Sequence, residues 1–359
     1  CSVAGVFTTN DVKAAPVRYC QTLLSDPSAK FHGIVANSGN ANACTGTQGD
    51  SDSAKMASEV ARHLNLHSKE ILVCSTGRIG VRLPISKITS GIRDAAMDVK
   101  AELDGARAFQ EAILTSDTCT KSCSAKIQTS TGEITIGGVV KGAGMIEPNM
   151  ATMLGFFSCD AGMEADIWRG MVRRAVQRSF NAITVDGDTS TNDTVLAFSA
   201  GEPLAVEHHA DLEAGLTEVM QQLAQAIARD GEGATCLMEV QVNGADDEAA
   251  ALRVARTICG SSLVKTAVHG RDPNWGRIVA AAGRADVAFD PEAVELWIGP
   301  HQLMDRGQPV AFDRAAASDA LRQDTVQIRL GIGQGPGEGC AWGCDLSDQY
   351  VRINADYTT

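Results

Sequence analysis

Two hydrophobic periodicities alternate irregularly along this chain, and that mixture constrains its fold more than any other feature. Short apolar, β-branched runs bounded by Gly, Asn, Asp or Ser predict strands at Gly33–Ala36, Ile71–Ser75, Glu133–Val140, Ile183–Val185, Cys236–Val242, Val294–Ile298 and Val326–Leu330. Elsewhere apolar residues recur at helical spacing. Met56, Val60 and Leu64 do so behind Ser51, Asp52 and Ser53 as capping candidates. Further helices are predicted through Ile167, Met171, Ala175 and Val176, along the stripe from Leu212 to Ile227, and over Ala249–Cys259. No strict strand–helix–strand beat, internal repeat or low-complexity linker is visible. The expected class is α/β, of the layered α+β kind, with sheets covered by helices.

Composition narrows the function. Of 359 residues 44% are hydrophobic, enough for a large core. A net charge of −13 excludes a broad basic face for nucleic acid, and 4% aromatics leaves little to stack bases on. No apolar run reaches the roughly eighteen residues of a membrane-spanning helix. The eleven cysteines are scattered and odd in number, which reads as reduced thiols in an intracellular compartment. The chain opens on "CSVAGVFTTN", without methionine and already strand-like, so the expectation is that its true start and any targeting segment are missing.

Familiar chemical motifs are weak here. Cys119/Cys123 and Cys340/Cys344 lack a histidine pair to complete a zinc site, and His208-His209 stands alone in a polar stretch. The glycine run 331–339, "GIGQGPGEG", carries Pro336 and no following helix, so it reads as a turn-rich loop, not a phosphate cradle. There is no GxSxG elbow.

The informative stretch is "KGAGMIEPNMATML", where a glycine-rich run and a proline lead to Thr152 at the edge of an apolar segment. A threonine nucleophile needs a base, and a threonine at a chain start supplies its own. The α-amine has a pKa of about 7.7–8.0 and so is partly neutral at working pH. Cleavage between Ala151 and Thr152 makes nucleophile and base together, and small Ala151 beside a flexible glycine run permits the close approach this needs. After the Ile71–Val73 run, Ser75-Thr76-Gly77 offers a hydroxyl and an unhindered amide N–H, the two donors an oxyanion hole requires. Residues 184–194, "TVDGDTSTNDT", pack three aspartates, one asparagine and five hydroxyl residues into eleven positions. That composition suits a hydrogen-bond network or a polar ligand and misses the EF-hand spacing. Residue by residue, the bland readings stay open: a strand threonine, an ordinary turn, a surface loop.

Taken together, "AGVFTTN", "STGRIG", "KGAGMIEPNMATMLGFF", "ITVDGDTSTNDT", "DGEGAT", "GRDPNWGRI" and the terminal "INADYTT" resemble the ornithine acetyltransferase family, also called glutamate N-acetyltransferases, of arginine biosynthesis. The likeness runs from residue 4 to Thr359. It implies the family's layered α/β sandwich and self-cleavage between Ala151 and Thr152, giving an α chain of residues 1–151 and a β chain of residues 152–359. It implies Thr152 as nucleophile, Thr76 and Gly77 as oxyanion pair, and substrate contacts from Thr115, Lys141, Thr152, Glu232, Asn354 and Thr359. Apolar Val351 and Ile353 suggest that the C-terminal tail is docked rather than frayed. The implied reaction moves acetyl from N2-acetyl-L-ornithine to L-glutamate by ping-pong transfer, with no metal or cofactor and with acetyl-CoA as a possible co-substrate. The implied assembly is an α/β heterodimer paired into a heterotetramer, in the cytoplasm or an organelle interior, with neither nucleic acid nor membrane as partner. Two other readings remain: an N-terminal-threonine aminopeptidase or amidase, and an uncleaved, non-catalytic protein that binds an amino acid or a cation through the Asp-rich loop.

Overall fold

The computed structural model describes residues 1–130, 132–147 and 153–356. Among the described residues the chain divides into two compact units, one of Cys1–Asn181 with Asp188–Leu223, the other of Ala182–Gly187 with 224–356.

In chain order the first unit holds β1 (Ser2–Phe7), α1 (Ala15–Leu24), β2 (Gly33–Asn37), α2 (Gly46–Leu64), β3 (Ile71–Ser75), α3 (Ile85–Met97), α4 (Leu103–Ala112), β4 (Lys121–Thr129), β5 (Gly132–Lys141), β6 (Leu154–Cys159), α5 (Ala165–Gln177) and β7 (Thr194–Ser199). It also holds most of α6 (His209–Arg229). Its sheet runs β1-β7-β6-β5-β4, with β6 and β7 parallel and the other pairs antiparallel. A parallel pair, β2 and β3, forms a second layer. The two layers share a core in which Leu154, Phe156 and Leu196 of the sheet meet Leu72 and Cys74 of β3 and Cys20 of α1. β3 is buried at every position, as expected of a strand covered on both faces. Trp168 of α5 is fully buried and donates its indole N–H to the Ala197 carbonyl at 2.9 Å, so its polar atom costs nothing in the core.

The second unit holds β8 (Leu237–Ala245), α7 (Glu248–Cys259), α8 (Ser262–His269), α9 (Trp275–Gly283), β9 (Glu295–Ile298), β10 (His301–Asp305), β11 (Gln308–Pro309), α10 (Arg314–Ala320), β12 (Thr325–Gly331), β13 (Gly337–Cys344) and α11 (Asp348–Asp356). Its sheet runs β11-β10-β9-β12-β8-β13, with β8 and β12 parallel. α7 packs on β8 and β13, and the glycine run explains how: a Cβ on Gly339 would lie 2.4 Å from the Leu252 backbone nitrogen of α7.

Two local expectations are corrected. Ile183–Val185 is no strand; Ile183 makes one isolated bridge to Trp342, and Ile183 and Val185 are apolar because they are buried core, not because they lie in a sheet. α2 begins at Gly46, not at the Ser51–Ser53 group. Asp52 and Ser53 lie inside the helix, where Gln48 donates to Asp52 and Ser53 back-bonds to the Gly49 carbonyl. The residue before the helix, Thr45, donates to Asn42 Oδ1 instead of capping.

Candidate functional site

Strand register builds the first part of the site. In the five-stranded sheet, Lys121 opens β4 opposite Val140, Lys141 closes β5 opposite Leu154, Leu154 opens β6 beside Thr194, and Thr194 opens β7 opposite Phe7. One edge of the sheet therefore collects Lys121, Lys141, Met153 and Asp193, although up to 72 positions of sequence separate them (193 − 121).

Lys141 is the hub. Its side chain is 2% exposed. Its Nζ donates to Thr115 Oγ1 at 2.7 Å and to Thr76 Oγ1 at 3.4 Å, and Asp117 Oδ2 lies 3.6 Å away. Burial lowers the pKa of the Lys141 ammonium, opposed by the negative charge of Asp117. For Asp117, burial pushes the carboxyl upward, but the Lys141 and Lys121 cations and the bonds from Lys121 and the Gly142 N–H outweigh it, so the group stays below its usual range.

Thr76 and Gly77 follow β3. The Thr76 hydroxyl accepts from Lys141, which leaves its own O–H as a donor. Gly77 has φ +122° and a Cβ there would sit 2.3 Å from the Gly39 carbonyl carbon, so only glycine fits. Among the described residues no acceptor takes the Gly77 N–H. The Asp-rich loop is the scaffold behind this pair. Asn192 Nδ2 donates to the Ser75 carbonyl at 2.8 Å and the Ala41 carbonyl at 2.6 Å, the Thr8 hydroxyl donates to the Ser190 carbonyl, and Asn10 Nδ2 to the Thr189 carbonyl. These bonds fit the network reading of residues 184–194: Asn192 and the loop's own carbonyls tie it to β3 and to the segment after β1.

Asp193 closes the row. Its Oδ1 accepts the Met153 N–H at 3.1 Å, and its buried Oδ2 has no hydrogen-bond partner among the described residues. Burial raises its pKa well above the ordinary aspartate value, against the pull of the Met153 N–H, so the neutral form is favoured relative to an exposed carboxyl.

Glu232 and Asn354 belong to the second unit. Asn354, on α11, donates Nδ2 to Glu232 Oε2 at 2.9 Å, and Glu232 is 9% exposed. Ser347 donates to the Gly233 carbonyl at 2.6 Å, and a Cβ on Gly233 would lie 2.5 Å from the Tyr350 nitrogen. These contacts seat α11. Val351 does not contribute as expected, being 62% exposed. Nearby, Asp345 accepts from the Thr235 N–H and hydroxyl, the Cys236 N–H and His269 Nδ1.

The structure thus brings Thr76, Gly77, Thr115 and Lys141 together in one unit and Glu232 with Asn354 in the other. Ala151, Thr152 and Thr359 lie outside the described residues. Asp117, Lys121 and Asp193 were not singled out from the sequence. Asp117 was visible inside "TSDT" and Asp193 inside the Asp-rich loop, but nothing local marks either as buried.

A buried lysine on two threonine hydroxyls, beside the buried carboxyls of Asp117 and Asp193 in a mixed α/β molecule, has the perturbed polar character of an enzyme's active site. A model described as the ArgJ family matches residues 1–359, and the chain belongs to that family. It is 62% identical over 356 residues to the arginine biosynthesis bifunctional protein ArgJ of Parasynechococcus marenigrum, covering 99% of this chain and 87% of that one. The protein of the same name from Prochlorococcus marinus is 56% identical, covering 99% and 85%. Among solved structures, the arginine biosynthesis bifunctional protein argJ of Bacillus halodurans aligns with a TM-score of 0.51 at 39% identity, covering 56% of this chain and 97% of that chain. Among the described residues no helix is long and apolar enough to cross a membrane.

Proposed function

We infer that this chain is the acetyltransferase of arginine biosynthesis that moves the acetyl group of N2-acetyl-L-ornithine to L-glutamate. The observation that carries the site assignment is the convergence of Lys141 on the Thr115 and Thr76 hydroxyls beside Gly77. In this reading Thr152 Oγ first attacks the Ala151 carbonyl, and water hydrolyses the resulting ester. That leaves the α-amine of Thr152 free. In turnover Thr152 Oγ attacks the acetyl carbonyl and its proton passes to that amine. The oxyanion is held by the Thr76 hydroxyl and the Gly77 N–H. Collapse breaks the amide C–N bond, the amine proton goes to the departing nitrogen, and ornithine leaves an acetyl-threonine ester. Glutamate's α-amine then attacks that ester, releasing N-acetylglutamate and the threonine hydroxyl.

Lys141 and Thr115 receive the polar groups of the substrate, Glu232 the side-chain ammonium of ornithine, with Asn354 and Thr359 closing the contacts. The chemistry runs on side chains and needs no metal. Acetyl-CoA is a second acetyl donor at the same threonine in this proposal, and the word bifunctional in the relatives' names supports it. The active unit is a heterodimer of residues 1–151 and 152–359, paired into a heterotetramer, in the cytoplasm or inside an organelle.

The test is a denaturing intact-mass spectrum of the purified protein followed by an acetyl-transfer assay. Two fragments meeting at Ala151/Thr152, and N-acetylglutamate formed from N-acetylornithine only when glutamate is present, are the expected results. Acetate release without glutamate indicates a hydrolase instead, and a single uncut chain that still binds ornithine indicates a binding protein.

A further inference from the structure

Asp117 has no part in the steps above, yet its surroundings are built around it. It lies between α4 and β4, in a connection whose last three residues, 118–120, are exposed, yet its side chain is 0% exposed. Oδ1 accepts from Lys121 Nζ at 2.8 Å and from the Gly142 N–H at 2.6 Å. Oδ2 accepts from the Thr115 N–H at 3.2 Å and faces Lys141 Nζ at 3.6 Å. One carboxylate therefore holds the backbone of one candidate substrate contact, the ammonium of another, and the first amide of the glycine run that leads to the cleavage site.

We propose that Asp117 is a positioning residue for acetyl transfer: it fixes the Lys141 ammonium on the Thr115 and Thr76 hydroxyls and keeps it protonated, so that Lys141 meets the substrate's carboxylate as a cation. The inference rests on the acetyl-transfer reading of the site. The charged and titratable groups acting on Lys141 are Asp117, Lys121 and Asp193. Of these, Lys121 contacts the same Asp117 carboxylate as Lys141, so two ammonium groups share one carboxylate. An arriving substrate carboxylate supplies a second anion to that pair of ammonium groups, whereas a buried charge left unpaired is costly. Asp117 is what allows Lys141 to wait in its charged form, because burial and the neighbouring Lys121 both favour losing the proton.

Two substitutions at positions that do not touch substrate then shift Lys141 in opposite directions. Asp117→Asn keeps the shape and removes the anion, so Lys141 deprotonates at lower pH. Lys121→Gln removes a competing cation, so Lys141 holds its proton to higher pH. The experiment measures kcat/KM for N-acetylornithine against pH in the neutral and alkaline range for the parent, D117N and K121Q. It also follows the Lys141 titration directly by NMR of 13Cε-labelled lysines, with the signal assigned by its loss in Lys141→Arg. We expect the alkaline limb of D117N to fall by about tenfold or more in kcat/KM at a pH where the parent is unaffected. Most of that loss should sit in KM, and the limb of K121Q should move the other way. Unshifted limbs with an unchanged Lys141 titration, or both limbs moving in the same direction, overturn the proposal and leave Asp117 a structural residue. If D117N gives no cooperative melt, the K121Q limb and titration decide alone. If the parent transfers no acetyl, the functional reading fails, while the NMR titration still tests the Asp117–Lys141 coupling.

Discussion

At the scale of single residues the site is a set of buried polar groups whose charge states are fixed by a few neighbours. Thr76→Ala removes one oxyanion donor and leaves the Gly77 N–H in place; kcat for acetyl transfer should fall about 10²–10³-fold. A protein that still melts cooperatively with parent-like activity removes Thr76 from that role. Asp193 makes a separate prediction about stability. Its folded pKa lies above the unfolded value of about 3.9, so above that pH the unfolded chain gives up a proton that the native state keeps. Stability therefore falls as pH rises from that value toward the folded pKa. Asp193→Asn preserves an acceptor for the Met153 N–H and cannot ionise, so that slope should vanish. Thermal melts of parent and D193N should converge, or favour the parent, in mild acid and favour the variant at neutral and alkaline pH. Parallel melting temperatures across that range contradict a raised pKa for Asp193.

At the scale of elements, the glycine run 331–339 shows how composition is spent on packing. Beyond the turn between β12 and β13, Gly337 and Gly339 lie where a Cβ would press within 2.3 Å of the Asp247 carbonyl oxygen and 2.4 Å of the Leu252 nitrogen. Gly339→Ala must push α7 away from β13 and should cost about 1–3 kcal/mol of stability, read as a lower Tm. An unchanged Tm would show that α7 shifts freely on the sheet. The long amphipathic helices were legible because their stripes are continuous. The stripe from Leu212 to Ile227 is buried as read, and Ala249–Cys259 matches α7 within a residue. The start of α2 was not legible, because Ser and Asp residues serve equally as caps and as helix-interior hydrogen-bond partners, and only the neighbouring Asn42, Gln48 and Gly49 decide which. Ile183–Val185 misled for a related reason: burial and strand formation favour the same residue types.

At the scale of the whole molecule, the proposed cut at Ala151/Thr152 falls between β5 and β6, neighbours in one antiparallel ladder from Lys141↔Leu154 to Ile136↔Cys159. β1, ahead of the cut, is paired along its length with β7, behind it. Core residues Val3, Leu72 and Cys74 pack with Leu154, Phe156 and Leu196 from the other side of the cut. At about 25 cal/mol per Å² of buried apolar surface, such a shared core holds two fragments without a covalent link. The two fragments should therefore co-elute as one species under native conditions and separate only in denaturant. Dissociation on simple dilution would contradict the shared sheet and core.

The sequence by itself determined the mixed α/β class, about half of the strands, several of the longer helices, and a set of motifs specific enough to identify the family. Those are consequences of local periodicity and of short contiguous stretches. What only the tertiary structure decided is which polar residues are out of water and which face one another. Lys141 and Glu232 look like ordinary surface charges in the sequence, yet one is nearly sealed on two threonine hydroxyls and the other is buried against Asn354. Asp117 and Asp193 have the same side chain and opposite shifts, because two lysine cations outweigh burial at one, while at the other burial outweighs the Met153 amide and its polar neighbours. Desolvation and pairing depend on strand ends brought together across distant positions, and no local pattern of residues carries that information.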